Sequence, residues 1–182
     1  MTRFLLILIL FFSYQSINAK NDDWPSYGKD FGGGHYSEAD EITPENVKNL
    51  EKVWTHRSGD YHAGLNWTED VTPNSSQQTS FQATPILVND TLFYCTPYNR
   101  VFALNPETGK EKWVFDPEVE IEQKALLHCR GVGSWIDINK SENEECYHRI
   151  LTGTIDAELF AIDGKTGKLC SDFGDNGKIN LR

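Results

Sequence analysis

Few residues in this chain stand at spacings that support chemistry by themselves. The histidines His35, His56, His62, His128 and His148 are scattered. None forms the H-x-x-x-H pair that would set two imidazoles on one helical face, so a metal role is not indicated. Gly32-Gly33-Gly34 is followed by neither Lys-Ser/Thr nor a helix, and so lacks the parts of a phosphate cradle. Ser134 and Ser171 lie in no nucleophile elbow. Asp156 and Glu158 could be read as paired carboxylates, yet their i, i+2 spacing after a strand suits a hairpin turn better. Cys95, Cys129, Cys146 and Cys170 match no common zinc spacing; in an oxidising compartment they could form disulfides, with three full pairings open. No residue can be assigned as a catalytic base.

The elements that must carry any site are short strands. Residues 21–49 are rich in Gly, Asp and Ser, with a short edge strand expected at Asp23–Gly28 and one helical turn after Thr43-Pro44. A strand is expected at Leu50–Thr55, then a polar excursion over residues 58–80. From Phe81 the pattern becomes a meander: Ala83–Val88, Thr91–Thr96, Val101–Leu104 and Lys112–Phe115, each closed by a turn signal. Pro106 presets φ in the turn Asn105–Lys110, and Gly109 supplies the positive φ that closes it. No helix interrupts the strands, which disfavours a parallel βαβ sheet.

The meander then recurs. Arg149–Phe173 aligns without a gap onto Thr91–Phe115 at an offset of 58 residues, sharing Phe102/Phe160, Ala103/Ala161 and both Thr-Gly-Lys turns, at 108–110 and 166–168. Four strands per 40 to 60 residues is the arithmetic of β-propeller blades. On this alignment Ser171 stands opposite Trp113, and the second blade has no closing strand before Arg182. Two blades cannot close a ring, so the sequence reads as an all-β N-terminal segment plus roughly two four-stranded antiparallel blades of a longer protein.

Composition bounds the rest. The chain has 182 residues and a formal net charge of −10, which argues against nucleic acid as a partner and against docking on anionic lipid through a basic patch. Arg3 followed by the apolar run Phe4–Phe12 and a polar stretch to Ala19 reads as a secretory signal over residues 1–19, leaving 20–182 as the incomplete propeller domain. Asn66, Asn74, Asn89 and Asn139 each begin an Asn-x-Ser/Thr sequon, which matters only where such glycosylation operates.

Several motifs fall in a familiar order: Asp23-Trp24-Pro25-Ser26-Tyr27-Gly28, His35-Tyr36-Ser37, Ile42–Val47, Phe81-Gln82-Ala83-Thr84-Pro85, Thr96-Pro97-Tyr98-Asn99 and Cys129-Arg130-Gly131-Val132. From Asp23 to Leu181 the chain resembles the pyrroloquinoline quinone (PQQ) dehydrogenases, most of all the membrane-type quinoprotein glucose dehydrogenase group. The resemblance implies a propeller of about eight blades, with PQQ near the axis above Ca2+. It implies an aspartate base and calcium ligands beyond residue 182, an alcohol or sugar substrate, and a quinone or cytochrome as electron acceptor. Location would be periplasmic, with possible peripheral membrane association.

By position, Arg130 resembles an arginine near the PQQ carboxylates, where a guanidinium offers a flat two-pronged donor to a planar tricarboxylate. Arg57 resembles a second arginine near that site. Gln82 stands where many relatives carry glutamate, and Cys129 belongs to the same motif. Where glucose dehydrogenases often have histidine, three residues before that cysteine, this chain has Leu126, with His128 two positions on. That counts against glucose as the substrate. Arg149–Thr154 and Lys168–Phe173 flanking one central strand would put Cys146 and Cys170 at the same end of the blade, which gives a Cys146–Cys170 disulfide and leaves Cys95 near Cys129. The alternative function is a non-catalytic propeller that binds proteins at its rim, although such a scaffold has no need of an axial arginine.

Overall fold

The computed structural model describes residues 23–30, 32–61, 78–121 and 126–182. The leader, His62 and the sequons at Asn66 and Asn74 lie outside them. The described residues are all-β apart from a single 3-10 turn at Val47–Asn49. Two strands, β1 (Gln78–Phe81) and β6 (Leu126–Cys129), pair in parallel, so part of the expected excursion is strand. One four-stranded antiparallel sheet is formed by β2 (Ile86–Val88), β3 (Thr91–Cys95), β4 (Val101–Leu104) and β5 (Glu111–Phe115). A second is formed by β7 (Gly133–Ile136), β8 (His148–Gly153), β9 (Glu158–Asp163) and β10 (Lys178–Asn180). These are the two blades.

They share one core. Ile86, Val88 and Phe93 of the first blade cluster with Ile150, Phe160 and Ile162 of the second. Phe115 lies 5.3 Å from Phe160, and Phe93 meets the His148 ring edge-on at 5.7 Å. Repeat units of this kind bury their faces only against a neighbour.

The two Thr-Gly-Lys turns are built alike. The Asn105 side chain accepts from the backbone N–H groups of Glu107 and Thr108 and from the Thr108 hydroxyl. Asp163 accepts from Lys165, Thr166 and the Thr166 hydroxyl in the same way. Gly109 (φ +68) and Gly167 (φ +75) then take the left-handed conformation that closes each turn. A tryptophan lies flat on each glycine. Trp54 covers Gly109 and donates to the Pro106 carbonyl at 2.9 Å; Trp113 covers Gly167 and donates to the Gly164 carbonyl at 3.1 Å. Trp113 is thus the lock between the two blades. Residues 51–60 form no named strand, yet Trp54 holds them along the first blade in the same manner.

Two expectations for the second blade are corrected. A closing strand is present, β10, pairing Lys178 with Phe160 and Ile179 with Leu159. The ungapped alignment also fails after Cys170. Ala161 donates to the Gly177 carbonyl at 2.9 Å and accepts from Cys170 N–H at 2.9 Å, so residues 171–176 loop out of the sheet between them. Gly177, rather than Ser171, therefore stands opposite Ala161 as Trp113 stands opposite Ala103. The sequence alignment runs on past the turn to match Phe173 with Phe115, whereas the sheet hydrogen bonding resumes six residues late. Cys146 and Cys170 are disulfide-bonded across the mouth of this excursion, with Cα atoms 5.7 Å apart.

Acid should loosen this blade. Burial holds the His148 imidazole below its ordinary value, with Asp163 and Asp23 offsetting only part of that effect. Burial pushes the Asp163 carboxyl up, but the N–H of Cys146, the Thr166 hydroxyl and N–H, and the Lys165 N–H outweigh it and hold the group below the carboxylate range. Both groups bind protons more readily unfolded, so stability rises with pH. The His148 part is present above the unfolded imidazole value of about 6.5 and is lost as pH falls below it; the Asp163 part follows below about 3.9. Thermal melts are expected to drop between pH 7 and 5, and His148→Gln to flatten that segment. An unchanged slope in the variant would assign the drop to other groups.

Candidate functional site

The site lies at the edge where the two blades meet. Chain direction separates two faces. The β2–β3, β4–β5 and β9 turns, at Asn89, Gly109 and Gly167, share one end of the strands. The β3–β4 turn (96–100), the β8–β9 turn (154–157) and the entries to β2 and β7 share the other. Gln82 follows β1 and Arg130 follows β6 on that second end.

The parallel pair brings these two together. Its register matches Ser80 with His128 and Phe81 with Cys129; beyond the ladder the Thr84 N–H donates to the Arg130 carbonyl at 3.0 Å, one residue out of that register. Paired residues of parallel strands share a face, and the face alternates along the strand. Ser80 and His128 therefore share one face; past the end of the ladder, the Gln82 amide donates to the Ser80 hydroxyl at 2.9 Å. Leu127 and Cys129 point the other way and are buried. Gln82 and Arg130, with Tyr27, Thr84 and Gly131, line an open cleft of about 730 Å³. That lies within the range of small-molecule sites.

Cys129 is not in the cleft. It is bonded to Cys95, with Cα atoms 5.9 Å apart, and so ties the residue before Arg130 to the end of β3. A second tie runs through Asn99, which is 1 % exposed: its amide donates to the His128 carbonyl at 3.3 Å and its oxygen accepts from Ile155 N–H at 2.9 Å. One asparagine thus joins both blades to the strand that carries Arg130.

Arg57 is exposed and does not line the cleft. Its segment is nonetheless fixed. Asp60, only 7 % exposed, pairs with Arg100, whose guanidinium also donates to the Ser58 carbonyl and lies 5.2 Å from the Phe102 ring. Sequence reading missed Asp60 and Arg100; 40 residues separate them, and neither stands in a motif with chemistry of its own. In the sequence Asn99 stands out only as the end of Thr96-Pro97-Tyr98-Asn99.

A planar, anionic ligand fits what is present. The guanidinium of Arg130 makes no hydrogen bond or ion pair among the described residues, and it is exposed at a cleft beside an amide. A cation with no carboxylate partner among the described residues, next to a group that can donate or accept, suits carboxylates and carbonyls. Among the described residues the one cluster of metal-ligating types is Cys146, Cys170 and Asp172, and both of its cysteines are spent in a disulfide.

Two four-stranded meanders packed face to face, with a cleft at the entries to both, define a segment of a β-propeller. The sequence model of the β-propeller domain of PQQ glucose/ethanol/alcohol dehydrogenases matches residues 24–182, and the chain belongs to that family. It is 37% identical to quinoprotein glucose dehydrogenase A of Acinetobacter calcoaceticus, over 88% of this chain and 20% of that protein. It is 33% identical to the glycerol dehydrogenase large subunit of Gluconobacter oxydans (strain 621H), over 92% of this chain and 21% of that protein. The quinohemoprotein alcohol dehydrogenase of Comamonas testosteroni shares the fold, with a TM-score of 0.59 at 24% identity, over 90% of this chain and 20% of that one. The chain spans about a fifth of the length of the curated relatives it matches.

Proposed function

We propose that this chain is the N-terminal part of an exported, PQQ-dependent dehydrogenase that oxidises an alcohol or a sugar, with electrons passing to a quinone or a cytochrome. The observation that carries this reading is the Arg130 guanidinium, unpartnered among the described residues, beside Gln82 in the cleft. Arg130 would hold a carboxylate of the cofactor and Gln82 a carbonyl or carboxylate oxygen. The Cys95–Cys129 disulfide and Asn99 keep the Arg130 backbone in place. Arg57, on the loop clamped by Asp60 and Arg100, would add positive charge from the N-terminal side.

Bound PQQ supplies the two-electron oxidant for the alcohol carbon. The base and the Ca2+ ligands are assigned to the rest of the protein. Export through residues 1–19 would deliver the protein to the periplasm, where its disulfides can form. Peripheral membrane association fits a quinone acceptor.

The test is dye-linked oxidation by the full-length protein supplied with PQQ and Ca2+, across a panel of alcohols, polyols and aldoses. Turnover that requires PQQ supports the reading. No PQQ binding and no oxidation of any substrate would leave a protein-binding propeller as the better account.

A further inference from the structure

At the other end of the strands, away from Gln82 and Arg130, the two blades leave a second opening. Its volume is about 480 Å³, within the range of small-molecule sites. Val88 and Phe93 give it an apolar wall, and Lys112, Glu142, Tyr147 and Lys165 stand around it. The Lys112 ammonium donates to the Asp90 carbonyl and the Thr91 hydroxyl, each at 2.7 Å, which leaves one N–H unused. The side chains of Glu142, Tyr147 and Lys165 make no hydrogen bond or ion pair among the described residues.

A histidine completes the wall. His148 is 9 % exposed, and its Nε2 meets the Ser134 hydroxyl at 2.9 Å. Its Nδ1 has no partner among the described residues, yet it is not shut off from solvent. The imidazole fills the space that a Cβ on Gly164 would need, 2.5 Å from Nδ1. Gly164 does not take a positive φ, so glycine serves there to make room for the ring. The equivalent turn position of the first blade, 58 residues earlier, is Pro106, whose ring would close that room. Burial holds the imidazole below its ordinary value, so the ring is neutral at pH 7.

The groups around the opening carry both signs of charge. A simple anion would meet Glu142, and a simple cation would meet the two lysines. A hydroxyl group both donates and accepts, so it bonds to ammonium, to carboxylate and to either tautomer of the imidazole. The carbon-bound hydrogens of the same ligand would lie against Val88 and Phe93. We infer that this opening is a second small-molecule site, which takes an uncharged, hydroxyl-rich ligand, a sugar or a polyol, held by Lys112, Lys165, Glu142 and the Nδ1 of His148. It stands apart from the cofactor cleft and does not depend on the reading of that cleft.

Acetylation of the full-length protein with an N-hydroxysuccinimide ester, read lysine by lysine by mass spectrometry, tests the site without turnover. The probes are glucose and sorbitol, with gluconate and choline as charged comparators. Lys178, which does not line the opening, is the internal standard. Acetylation of Lys165 should slow about fivefold with glucose or sorbitol at about four times its dissociation constant, while Lys178 reacts as before. Glu142→Ala removes an exposed side chain with no partner among the described residues and should abolish the protection. Gly164→Ala, which takes the space of the ring, should abolish it too; if that variant fails to fold, Glu142→Ala decides alone. Protection by none of the four compounds, protection by gluconate or choline only, or undiminished protection in Glu142→Ala overturns the inference. Arg130→Ala should leave the protection unchanged; its loss there would assign the effect to the cofactor cleft and overturn the inference as well. A failure of PQQ binding would overturn the cleft reading and leave this result as it stands.

Discussion

Arg100→Ala is expected to destabilise the protein by about 3 kcal/mol, because it leaves the Asp60 carboxylate charged and unpaired in a buried site. The guanidinium of Arg100 meets both carboxylate oxygens, donates to the Ser58 carbonyl and packs on Phe102, so truncation removes packing as well as charge. Asp60→Asn should cost less, since the amide oxygen can still accept from Arg100. The double variant Asp60→Ala with Arg100→Ala should recover part of the loss by removing the stranded charge. Urea denaturation of the full-length protein gives all three values. A loss in the double variant equal to the sum for Asp60→Ala and Arg100→Ala made singly would mean that the pair is not coupled. The loop pinned by this pair carries Arg57, so Arg100→Ala should also loosen PQQ binding if Arg57 contributes to it.

The second large effect is expected at the blade lock. Trp113→Ala removes an indole that packs against Phe93 at 5.7 Å, covers Gly167 and donates to the Gly164 carbonyl. Large-to-small changes at aromatic core positions cost about 3–5 kcal/mol. Trp113 is only partly buried, and the lower end of that range applies. From the opposite side, Gly167→Ala puts a Cβ 2.8 Å from the indole ring in a residue at φ +75, so it strains the turn and displaces the lock together. The two changes act on one contact, and combining them should cost less than their sum. Strict additivity in thermal or urea unfolding would show that the indole and the glycine are not one unit.

The first blade was legible because its strands are bounded by local chemistry. Asn89-Asp90, Pro97–Asn99 and Asn105–Lys110 each turn the chain by residue type alone, and the strands between them fell within a few residues of expectation. The second blade was legible only to its Thr-Gly-Lys turn. Beyond it, sequence alignment offered Ser171 where the sheet places Gly177, because a loop is invisible to a pattern that continues by chance through Phe173. Which residue stands opposite Ala161 is a matter of backbone hydrogen bonding, and no side chain announces it.

The site divides in the same way. Arg130 and Gln82 stood out by motif, and the fold brought them to one cleft; Arg57 lies outside it. Asp60, Arg100 and Asn99 did not stand out, since their value is in partners 29 to 56 residues away. Residue identity by itself determined the repeat, the turns and a cationic motif beside Cys129, because these depend on φ preferences and charge carried within a few positions of the chain. Only the tertiary structure decided that β1 and β6 run parallel in register. That register puts Ser80 and His128 on one face and carries the chain on to Gln82 and Arg130 at one cleft, because it is set by hydrogen bonds between strands 48 residues apart.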